Sequence, residues 1–360
     1  MTDLRLAHIG WLTNDNGPGY KTVAWCDINE SKMTAAKGKH PHITMYTDYR
    51  VMIQNEKLDA VFISTPNFVH AAQAVAFLDA GVNVFLEKPM GINKEECDAV
   101  LQAATRNNRI CVIDFELRVS FFAKRLREVI EGGLYGALKR LEFIHYRGCW
   151  LEEGNGIWRT RPEKSGGLYF MEPIHEVDIF RQFGGEITAV QSVAGPNVLP
   201  QYRFQDNVCS HFFFANGALG TLLTSHTHSA FTTDPAKWNR DMGHSMDLVL
   251  TFEKGSVGVD LLALKVTCNK FVEYPAGTGA TRVEFDHLED YTTLGSTAFH
   301  HDIGAMHREF IQRLMTGQTP VVTTLDAWKT HRVCLAAEQS VREEGRRVAV
   351  DFTLPRGVNG

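Results

Sequence analysis

Two short polar segments of the sequence carry side chains suited to proton transfer. Glu87-Lys88-Pro89 follows the apolar run Gly81 to Leu86, and a second segment runs from Glu172 to Asp178 with His175 at its centre. A histidine with carboxylates on both sides has the composition of a proton-transfer site. Helix caps and ion-pair networks on solvated faces use the same groups, and spacing alone does not separate these interpretations.

Apolar stretches in the first third of the chain predict buried strands that could position Lys88. They are Leu4 to Gly10, Thr22 to Cys26, Leu58 to Ile63, Gly81 to Leu86 and Ile110 to Ile113, with helical spacing between the later ones. This alternation indicates an α/β fold with a Rossmann-type doubly wound parallel sheet over residues 1–118. Such sheets bind ligands beyond the carboxyl ends of their strands, so Lys88 is expected at a ligand edge.

Gly10 and Asp27 end the first two strands and predict one half of a dinucleotide site. An acidic residue at the tip of the second strand suits the ribose of NAD and would repel a 2′-phosphate, so we expect NAD rather than NADP. The other half is missing, because no GxGxxG motif follows Gly10. The segment Trp11 to Tyr20 predicts a loop with at most one helical turn, so either another group holds the pyrophosphate or the nucleotide binds differently.

The remainder of the chain has a different pattern. Short alternating runs begin at Leu138, and Asn216-Gly217 and Lys254-Gly255 lie between successive runs as hairpin turns. We expect residues 119–360 to form an α+β domain with a largely antiparallel sheet. Its predicted helices are Glu172 to Phe183, Ile303 to Met315 and Leu325 to Glu344.

Composition narrows the possible classes of protein. The 360 residues carry a net charge of -5 without a basic run, which disfavours nucleic acid, and no apolar stretch approaches membrane-spanning length. Seven scattered cysteines without CxxC spacing favour a reduced, cytoplasmic setting. Several histidines could bind a metal, but none has a carboxylate or cysteine at a recognisable ligand spacing, so we expect no metal. They are His226, His228, His300, His301 and His307.

Three motifs together resemble the Gfo/Idh/MocA oxidoreductases, the glucose-fructose oxidoreductase and inositol dehydrogenase group. They are Ser64-Thr65-Pro66-Asn67 with His70, then Gly81 to Pro89, and then Gly166-Gly167 to Asp178. The resemblance implies that the first domain binds NAD or NADP and that an open-faced sheet in the second covers a sugar or polyol. It also implies a homo-oligomer that associates through the exposed sheet face.

The same resemblance implies roles for individual residues. Lys88 would orient or protonate the substrate oxygen, and His175 would act as acid or base. Many members carry an aspartate where this chain has Met171, and Glu172 could substitute for it if Pro173 redirects it. The cofactor would be contacted by Gly10, Asp27, Ser64, Thr65, Asn67, His70, Glu87, Lys88, Trp158 and Arg159.

Further residues are assigned to the substrate side of the cleft. Arg118, Asp178 and His244 are candidate substrate contacts, and Asp178 would also support the histidine segment from behind. Alcohol oxidation needs a base within hydrogen-bond reach of the hydroxyl. The sequence leaves open whether Lys88 or His175 is that base.

The sequence therefore predicts an NAD-dependent oxidoreductase acting on a hydroxyl of a sugar, glycoside or cyclitol. One alternative is an NAD-dependent glycosidase that oxidises the sugar transiently and then eliminates the glycosidic bond. The other is a non-catalytic sugar- or nucleotide-sensing protein of the same fold.

Overall fold

The computed structural model of the protein describes residues 3–12, 16–150, 154–227 and 245–358. Seven strands form the first sheet: β1 (Leu4–Ile9), β2 (Asn16–Gly17), β3 (Tyr20–Cys26), β4 (Thr44–Tyr46), β5 (Ala60–Ile63), β6 (Asn83–Leu86) and β7 (Cys111–Ile113). Their order is β2-β3-β1-β5-β6-β7, with β4 beside β3. These described strands pair in parallel except for β2 with β3. The predicted doubly wound sheet is confirmed.

Four helices accompany this sheet: α1 (Glu30–Lys37), α2 (Tyr49–Asn55), α3 (Asn67–Asp79) and α4 (Lys94–Arg106). The side chains of Asn29, Asp48 and Asn93 accept backbone hydrogen bonds from the first turns of α1, α2 and α4. These caps explain where the helices begin. The strands between them are apolar, and β5 is buried along its whole length, as expected for a parallel sheet.

The connection from β1 to β3 contains no helix in its described residues, 10–12 and 16–19. Gly10 ends β1 with a φ of 90°, and its carbonyl accepts a hydrogen bond of 3.1 Å from the Trp25 indole. The short β2 then turns back along β3. The loop predicted after Gly10 is therefore observed in the described residues, and the usual crossover helix is not among them.

The second sheet has nine strands: β8 (Leu138–Tyr146), β9 (Ile187–Ala194), β10 (Asn207–Phe214), β11 (Leu219–Ser225), β12 (Ser245–Phe252), β13 (Gly255–Asp260), β14 (Lys265–Glu273), β15 (Thr281–Asp290) and β16 (Val348–Ala349). Their order is β15-β14-β13-β12-β8-β11-β10-β9-β16, and among the described pairs only β8 with β11 is parallel. The largely antiparallel sheet is confirmed.

One face of this sheet is covered and the other is open. In β8 the side chains of Leu141, Phe143 and His145 are buried, whereas the intervening Glu142 and Ile144 are partly exposed. Seven described helices belong to this part of the chain, and some of them cover the sheet: α5 (Phe121–Glu131), α6 (Pro162–Ser165), α7 (Leu168–Met171), α8 (Ile174–Gly184), α9 (Gly295–His300), α10 (Ile303–Thr316) and α11 (Thr324–Arg342). Of these, α8 packs on β8 and α11 on β9.

Helix α11 joins the two sheets. Thr324 donates a hydrogen bond of 2.8 Å to the Cys111 carbonyl of β7, and the Ser340 hydroxyl accepts one of 2.8 Å from the backbone of Ser192 in β9. Most buried apolar residues accordingly form one continuous core across both sheets, and Trp25, Met33 and Ile43 form a small separate cluster. The division of the chain at residue 118 lies in a 3-10 turn, Glu116–Val119, and it stays a prediction. No described helix is both long and apolar enough to cross a membrane.

Candidate active site

Four strands bring their following residues to one edge of the first sheet. Gly10 follows β1, Ser64 follows β5, Glu87 and Lys88 follow β6, and Asp114 follows β7. The segment from Met171 to His175 runs from the end of α7 into the first turn of α8. It meets this edge of the first sheet, as the hydrogen bond from Lys88 to the Met171 carbonyl shows. The two polar segments that the sequence singled out are therefore together in space.

Lys88 connects the two parts of the site. Its ammonium donates a hydrogen bond to the Met171 carbonyl and lies 3.9 Å from Glu172 Oε2. The side chain is only 16% exposed, so its charge faces the interior of the cleft. A cation held here can act on an oxygen atom of a bound molecule.

Glu172 is an anion in this arrangement. Its carboxylate forms an ion pair with Arg147, which follows β8, and faces Lys88 on the other side. Burial by itself would raise the pKa of Glu172, but Arg147 and Lys88 hold it well below its usual range. Glu172 therefore orients the two cations and is unsuited to donating a proton near neutral pH.

His175 stands in the first turn of α8, nearly buried, with its ring edge against Phe115. Its Nδ1 atom lies 3.5 Å from Glu116 Oε2. Burial lowers the pKa of His175, and the Lys88 charge adds to this effect, while Glu116 opposes it. The net lowering favours a neutral imidazole, which is the form that can accept a proton.

Two further carboxyl groups lie at the same edge. Burial and the nearby Glu116 raise the pKa of Glu87. Burial and Glu87 raise the pKa of Asp114 well above its usual range. Two neighbouring acids cannot both ionise cheaply at a largely buried site, so both shifts favour a proton shared by this pair.

The residues expected to contact a cofactor divide into two groups. Gly10 and Asp27 lie at the open edge: a Cβ at Gly10 would come within 2.5 Å of the Ser64 carbonyl, and Asp27 forms an ion pair with Lys32. Lys32 also donates a hydrogen bond of 2.9 Å to the Gly10 carbonyl. The ammonium of Lys32 thus lies between the Gly10 carbonyl at the end of β1 and the Asp27 carboxylate at the end of β3.

The other group is engaged in internal hydrogen bonds. Thr65 donates to Gln73, Asn67 donates to the Ser165 carbonyl at 2.9 Å, and the Ser64 hydroxyl donates to the Ile9 carbonyl at 3.2 Å. The His70 ring lies between the carbonyl oxygens of Thr65 and Pro89. Asn67 is the first residue of α3, after Pro66, and its side-chain amide reaches across to Ser165 at the end of α6.

Trp158 and Arg159 lie beside α3, which accompanies the first sheet. The Trp158 ring packs edge-on against Phe68 of α3 with centroids 6.4 Å apart, and the Arg159 guanidinium lies over the Trp158 ring. Whether they reach a cofactor stays a prediction.

The expected substrate role of Arg118 and Asp178 is corrected by the structure. Their side chains are buried and form two hydrogen bonds with each other, at 2.6 and 2.5 Å. Thr330 of α11 also donates to Asp178 at 2.8 Å. This pair fixes α8 against α11 behind His175, consistent with the supporting role given to Asp178. His244 lies outside the described residues.

Sequence reasoning missed three polar residues at the site. Arg147 binds Glu172, Glu116 faces His175, and His301 lies 2.7 Å from Glu116 through its Nδ1 atom. Arg147 follows an alternating strand and His301 follows a helix, with no local motif around either. The sequence places Glu116 shortly after β7, close to Asp114. Only the tertiary structure shows that His175 and His301 are its partners.

The described histidines do not gather around a metal position. His226 bonds Tyr202 at 2.9 Å, and His307 packs among Phe62 and Phe85. A separate group of Cys268, His287 and Glu289 has ligand atoms within 4.8 Å of one another. The Glu289 carboxylate is already bound on both oxygens by Arg125, so this group is an ion-pair cluster.

Comparison with known families decides the relationship. Residues 8–115 match the oxidoreductase family with an NAD-binding Rossmann fold, and residues 123–258 match the GFO/IDH/MocA C-terminal domain. The chain belongs to the Gfo/Idh/MocA oxidoreductase family. The two matches follow each other as the resemblance predicted, and together they span most of the first sheet and the second sheet as far as β13.

Curated members of this family are similar to the chain along different lengths. Oxidoreductase P35 of Formosa agariphila is 30% identical over 213 residues, which are 56% of this chain and 65% of that protein. The scyllo-inositol 2-dehydrogenase (NAD(+)) of Bacillus subtilis is 25% identical over 308 residues, 83% of this chain and 80% of that protein. The chain thus spans slightly less than two thirds of P35.

A solved structure shows the same fold over the whole chain. Levoglucosan dehydrogenase in complex with NADH and L-sorbose superposes with a TM-score of 0.77 at 20% identity. The superposition covers 98% of this chain and 100% of that chain. The Gfo/Idh/MocA architecture, with both sheets, is therefore shared.

Proposed function

We propose that the protein is an NAD-dependent dehydrogenase that oxidises a hydroxyl group of a sugar, glycoside or cyclitol. One observation carries this proposal: Lys88, which follows β6 of the first sheet, binds the Met171 carbonyl and faces Glu172, at the start of the helix that carries His175. Relatives named as an inositol dehydrogenase and a levoglucosan dehydrogenase support the substrate class.

The residues at the sheet edge fit a dinucleotide in part. Gly10 lets the end of β1 approach the Ser64 backbone closely at this edge, and Asp27 follows β3 where a ribose hydroxyl would be bound. Lys32 offers a cation for the pyrophosphate in place of a helix N-terminus. When bound, NAD supplies the acceptor for the two electrons of the alcohol.

The protein's own groups then divide the proton chemistry. The Lys88 cation stabilises negative charge that develops on the substrate oxygen. The neutral His175 accepts the hydroxyl proton, since its imidazole is uncharged near neutral pH. Glu172 and Arg147 hold Lys88 in place.

We propose that NAD is preferred to NADP. The Asp27 carboxylate can accept hydrogen bonds from the ribose and would repel a 2′-phosphate, although Lys32 partly neutralises it. Isothermal titration with both nucleotides should show NAD binding about tenfold tighter, equivalent to about 1.4 kcal/mol. Tighter binding of NADP would show that Lys32 dominates.

We further propose a homo-oligomer that works in the cytoplasm. The seven cysteines are all unpaired thiols, which suits a reducing compartment. The open face of the second sheet and its apolar edge strand β15 offer a surface for a second copy.

The acid pair of Glu87 and Asp114 favours a second candidate function, a glycosidase that oxidises its sugar transiently. The pKa shifts of Glu87 and Asp114 favour a shared proton, and protonation of a leaving oxygen is needed for cleavage of a glycosidic bond but not for oxidation of a simple alcohol. A glycosidase that oxidises its sugar transiently would release an aglycone and accumulate no NADH.

The test begins with denaturation of purified protein and identification of any released nucleotide. Reduced nicotinamide is then followed by absorbance with a panel of sugars, glycosides and cyclitols. We expect NADH formation, and its loss in Lys88→Met with nucleotide binding retained. Release of aglycone without NADH would favour the glycosidase, and nucleotide binding without any turnover would favour a sensor.

A further inference from the structure

Glu116 lies between two imidazoles that come from distant parts of the chain. Its Oε2 atom is 3.5 Å from His175 Nδ1, and its Oε1 atom is 2.7 Å from His301 Nδ1. The Glu116 side chain is 4% exposed, whereas that of His301 is 58% exposed. The row His175, Glu116, His301 therefore runs from the cleft to water.

The charges along this row favour a carboxylate bridge. Burial opposes ionisation of Glu116, but His175 and His301 lower its pKa to about 2. The contact with Glu116 raises the pKa of His301 above its ordinary value. The inner imidazole is thus the weaker base and the outer one the stronger, so net transfer from His175 to His301 is downhill, while protonated Glu116 is a brief, higher-energy step between them.

The proposed reaction requires a path by which the proton taken up by His175 can reach solvent. Oxidation of an alcohol releases one proton in every turnover, and His175 is nearly buried. Its Nδ1 atom has no hydrogen-bond partner among the described residues and faces Glu116 at a distance slightly too long for a hydrogen bond. A small movement of the ring or a single water molecule would close this step.

We propose that Glu116 and His301 relay the hydroxyl proton from His175 to solvent. This inference rests on the proposed dehydrogenase function and adds two positioning residues to it. Glu116 and His301 act through His175 and do not contact the substrate.

The proton balance of the relay is simple. The substrate O–H bond breaks and its proton joins the free nitrogen of His175, while the proton on His175 Nδ1 passes to Glu116. Glu116 returns to its carboxylate form by giving a proton to His301 Nδ1, and the imidazolium of His301 releases its other N–H proton to water. One proton enters and one leaves, so all three groups recover their charges. Each imidazole is left with its proton on the other ring nitrogen, and rotation of the ring or exchange with water reverses this before the next turnover.

Other charged groups face the two ends of the row and set the direction of transfer. Lys88 lies near His175 and disfavours a lasting positive charge there, whereas Glu172 and Glu176 partly offset it. At the outer end Glu172 and Glu87 favour protonated His301. The neighbouring His300 ring stacks on His301, and burial lowers the pKa of His300 to about 4, so it stays neutral.

The first test uses NMR and does not depend on activity. Titration of the imidazole signals should give a pKa for His301 above that of an ordinary histidine, and Glu116→Gln should return it toward the ordinary value. His175 should shift in the same variant, because it loses the same carboxylate. Unchanged titration of His301 in Glu116→Gln would overturn the relay whatever the activity.

The second test is kinetic and uses His301→Ala, which removes an exposed side chain and should leave the fold intact. We expect kcat to fall about tenfold with little change in KM, and imidazole in the buffer to restore it. In Glu116→Gln the link to His175 is broken, so imidazole should not restore kcat. The control is His287→Ala, a half-exposed histidine on β15 beside the carboxylates of Asp286 and Glu289.

The outcomes separate the relay from the function on which it rests. If the wild-type protein oxidises no hydroxyl, the proposed function fails, and the NMR titration still decides whether the three groups are linked. If the wild type is active and His301→Ala keeps its full kcat, or imidazole does not restore it, the relay is wrong and the dehydrogenase stands. A purely structural Glu116 would change stability without creating dependence on the buffer.

Discussion

The buried pair of Arg118 and Asp178 shows how a charged residue can matter without touching a ligand. Arg118 binds both oxygens of Asp178 and also contacts Asp326 of α11. His175 stands three residues before Asp178 on the same helix. The pair therefore holds His175, the proposed base, in place through α8.

We expect Asp178→Asn to destabilise the protein by about 3 kcal/mol, because it leaves the Arg118 charge buried with a weaker partner. Urea denaturation of wild type and variant measures the difference in free energy of unfolding. Glu284→Gln is the control, since it breaks the exposed pair with Arg282 and should cost less than about 1 kcal/mol. Equal effects of the two substitutions would contradict a structural role for Asp178.

At the residue scale, local motifs predicted Lys88, Glu172 and His175 because each stands in a short run of chemically suited neighbours. Motifs could not predict Arg147 or Glu116 as their partners. Arg147 meets Glu172 only because β8 ends beside the start of α8, and the distance along the chain between them hides this. The same limit explains why the sequence alone predicts Arg118 and Asp178 as substrate contacts, although they bind each other.

At the scale of elements, the end of β1 is where this protein departs most from the standard dinucleotide fold. Gly10 adopts a φ of 90° and lies against the Ser64 carbonyl, so two strand ends approach closely there. A side chain at this position meets both backbone strain and a steric clash.

We expect Gly10→Ala to weaken nucleotide binding and to lower stability by more than the 1–2 kcal/mol, roughly, that a left-handed alanine costs. The reason is the added contact of 2.5 Å between its Cβ and the Ser64 oxygen. Gly277→Ala is the matched control, because Gly277 has a φ of 79° with open space around it. Thermal melts and nucleotide titration compare the two variants, and equal losses would show that strain alone acts at Gly10.

Helix α11 supports the histidine segment through a buried carboxyl group. Glu338 accepts a hydrogen bond of 2.8 Å from the backbone N–H of Tyr169 in α7, just before Glu172. Burial raises the pKa of Glu338 from 4.5 to about 7. Folding therefore favours the protonated form of this acid.

This shift makes stability depend on pH in a defined direction. Between about pH 4.5 and 7 the folded protein binds more protons at Glu338 than the unfolded chain, so its contribution falls as pH rises, by about 3 kcal/mol in total. Glu338→Gln should remove this fall, as measured by urea denaturation across that range. The exposed Glu95→Gln is the control, and an unchanged slope in Glu338→Gln would refute the shift.

At the scale of the whole molecule, the second sheet leaves one face and one edge uncovered. Edge strand β15 exposes Val283 and Phe285, at 65% and 66%, with their side chains two residues apart on one side of the strand. Exposed apolar side chains on an edge strand favour association with another chain.

We expect the double variant Val283→Glu with Phe285→Glu to lower the oligomeric state, because the charges would have to be buried in the interface. Size-exclusion chromatography with light scattering measures the mass of both forms. Val198→Glu changes an equally exposed residue outside β15 and serves as control. A wild-type monomer, or a variant of unchanged mass, would contradict association through this strand.

Hydrophobic periodicity predicted both sheets and the final helices, since buried elements show a strong contrast between apolar and polar positions. It missed β15, because an edge strand with charges and exposed apolar residues on both faces lacks that contrast. The order of strands and the bridging position of α11 depend on contacts between distant segments. These could be expected only from the family resemblance.

Transfer of a label from substrate to nucleotide tests the dehydrogenase assignment most directly. The protein is incubated with NAD and with sugars or cyclitols deuterated at their ring carbons, and the nucleotide is analysed by mass spectrometry. We predict deuterium in the reduced nicotinamide, in an amount equal to the ketone formed, and none with Lys88→Met. Consumption of substrate with no labelled NADH, or no transfer from any compound of this class, would contradict the assignment.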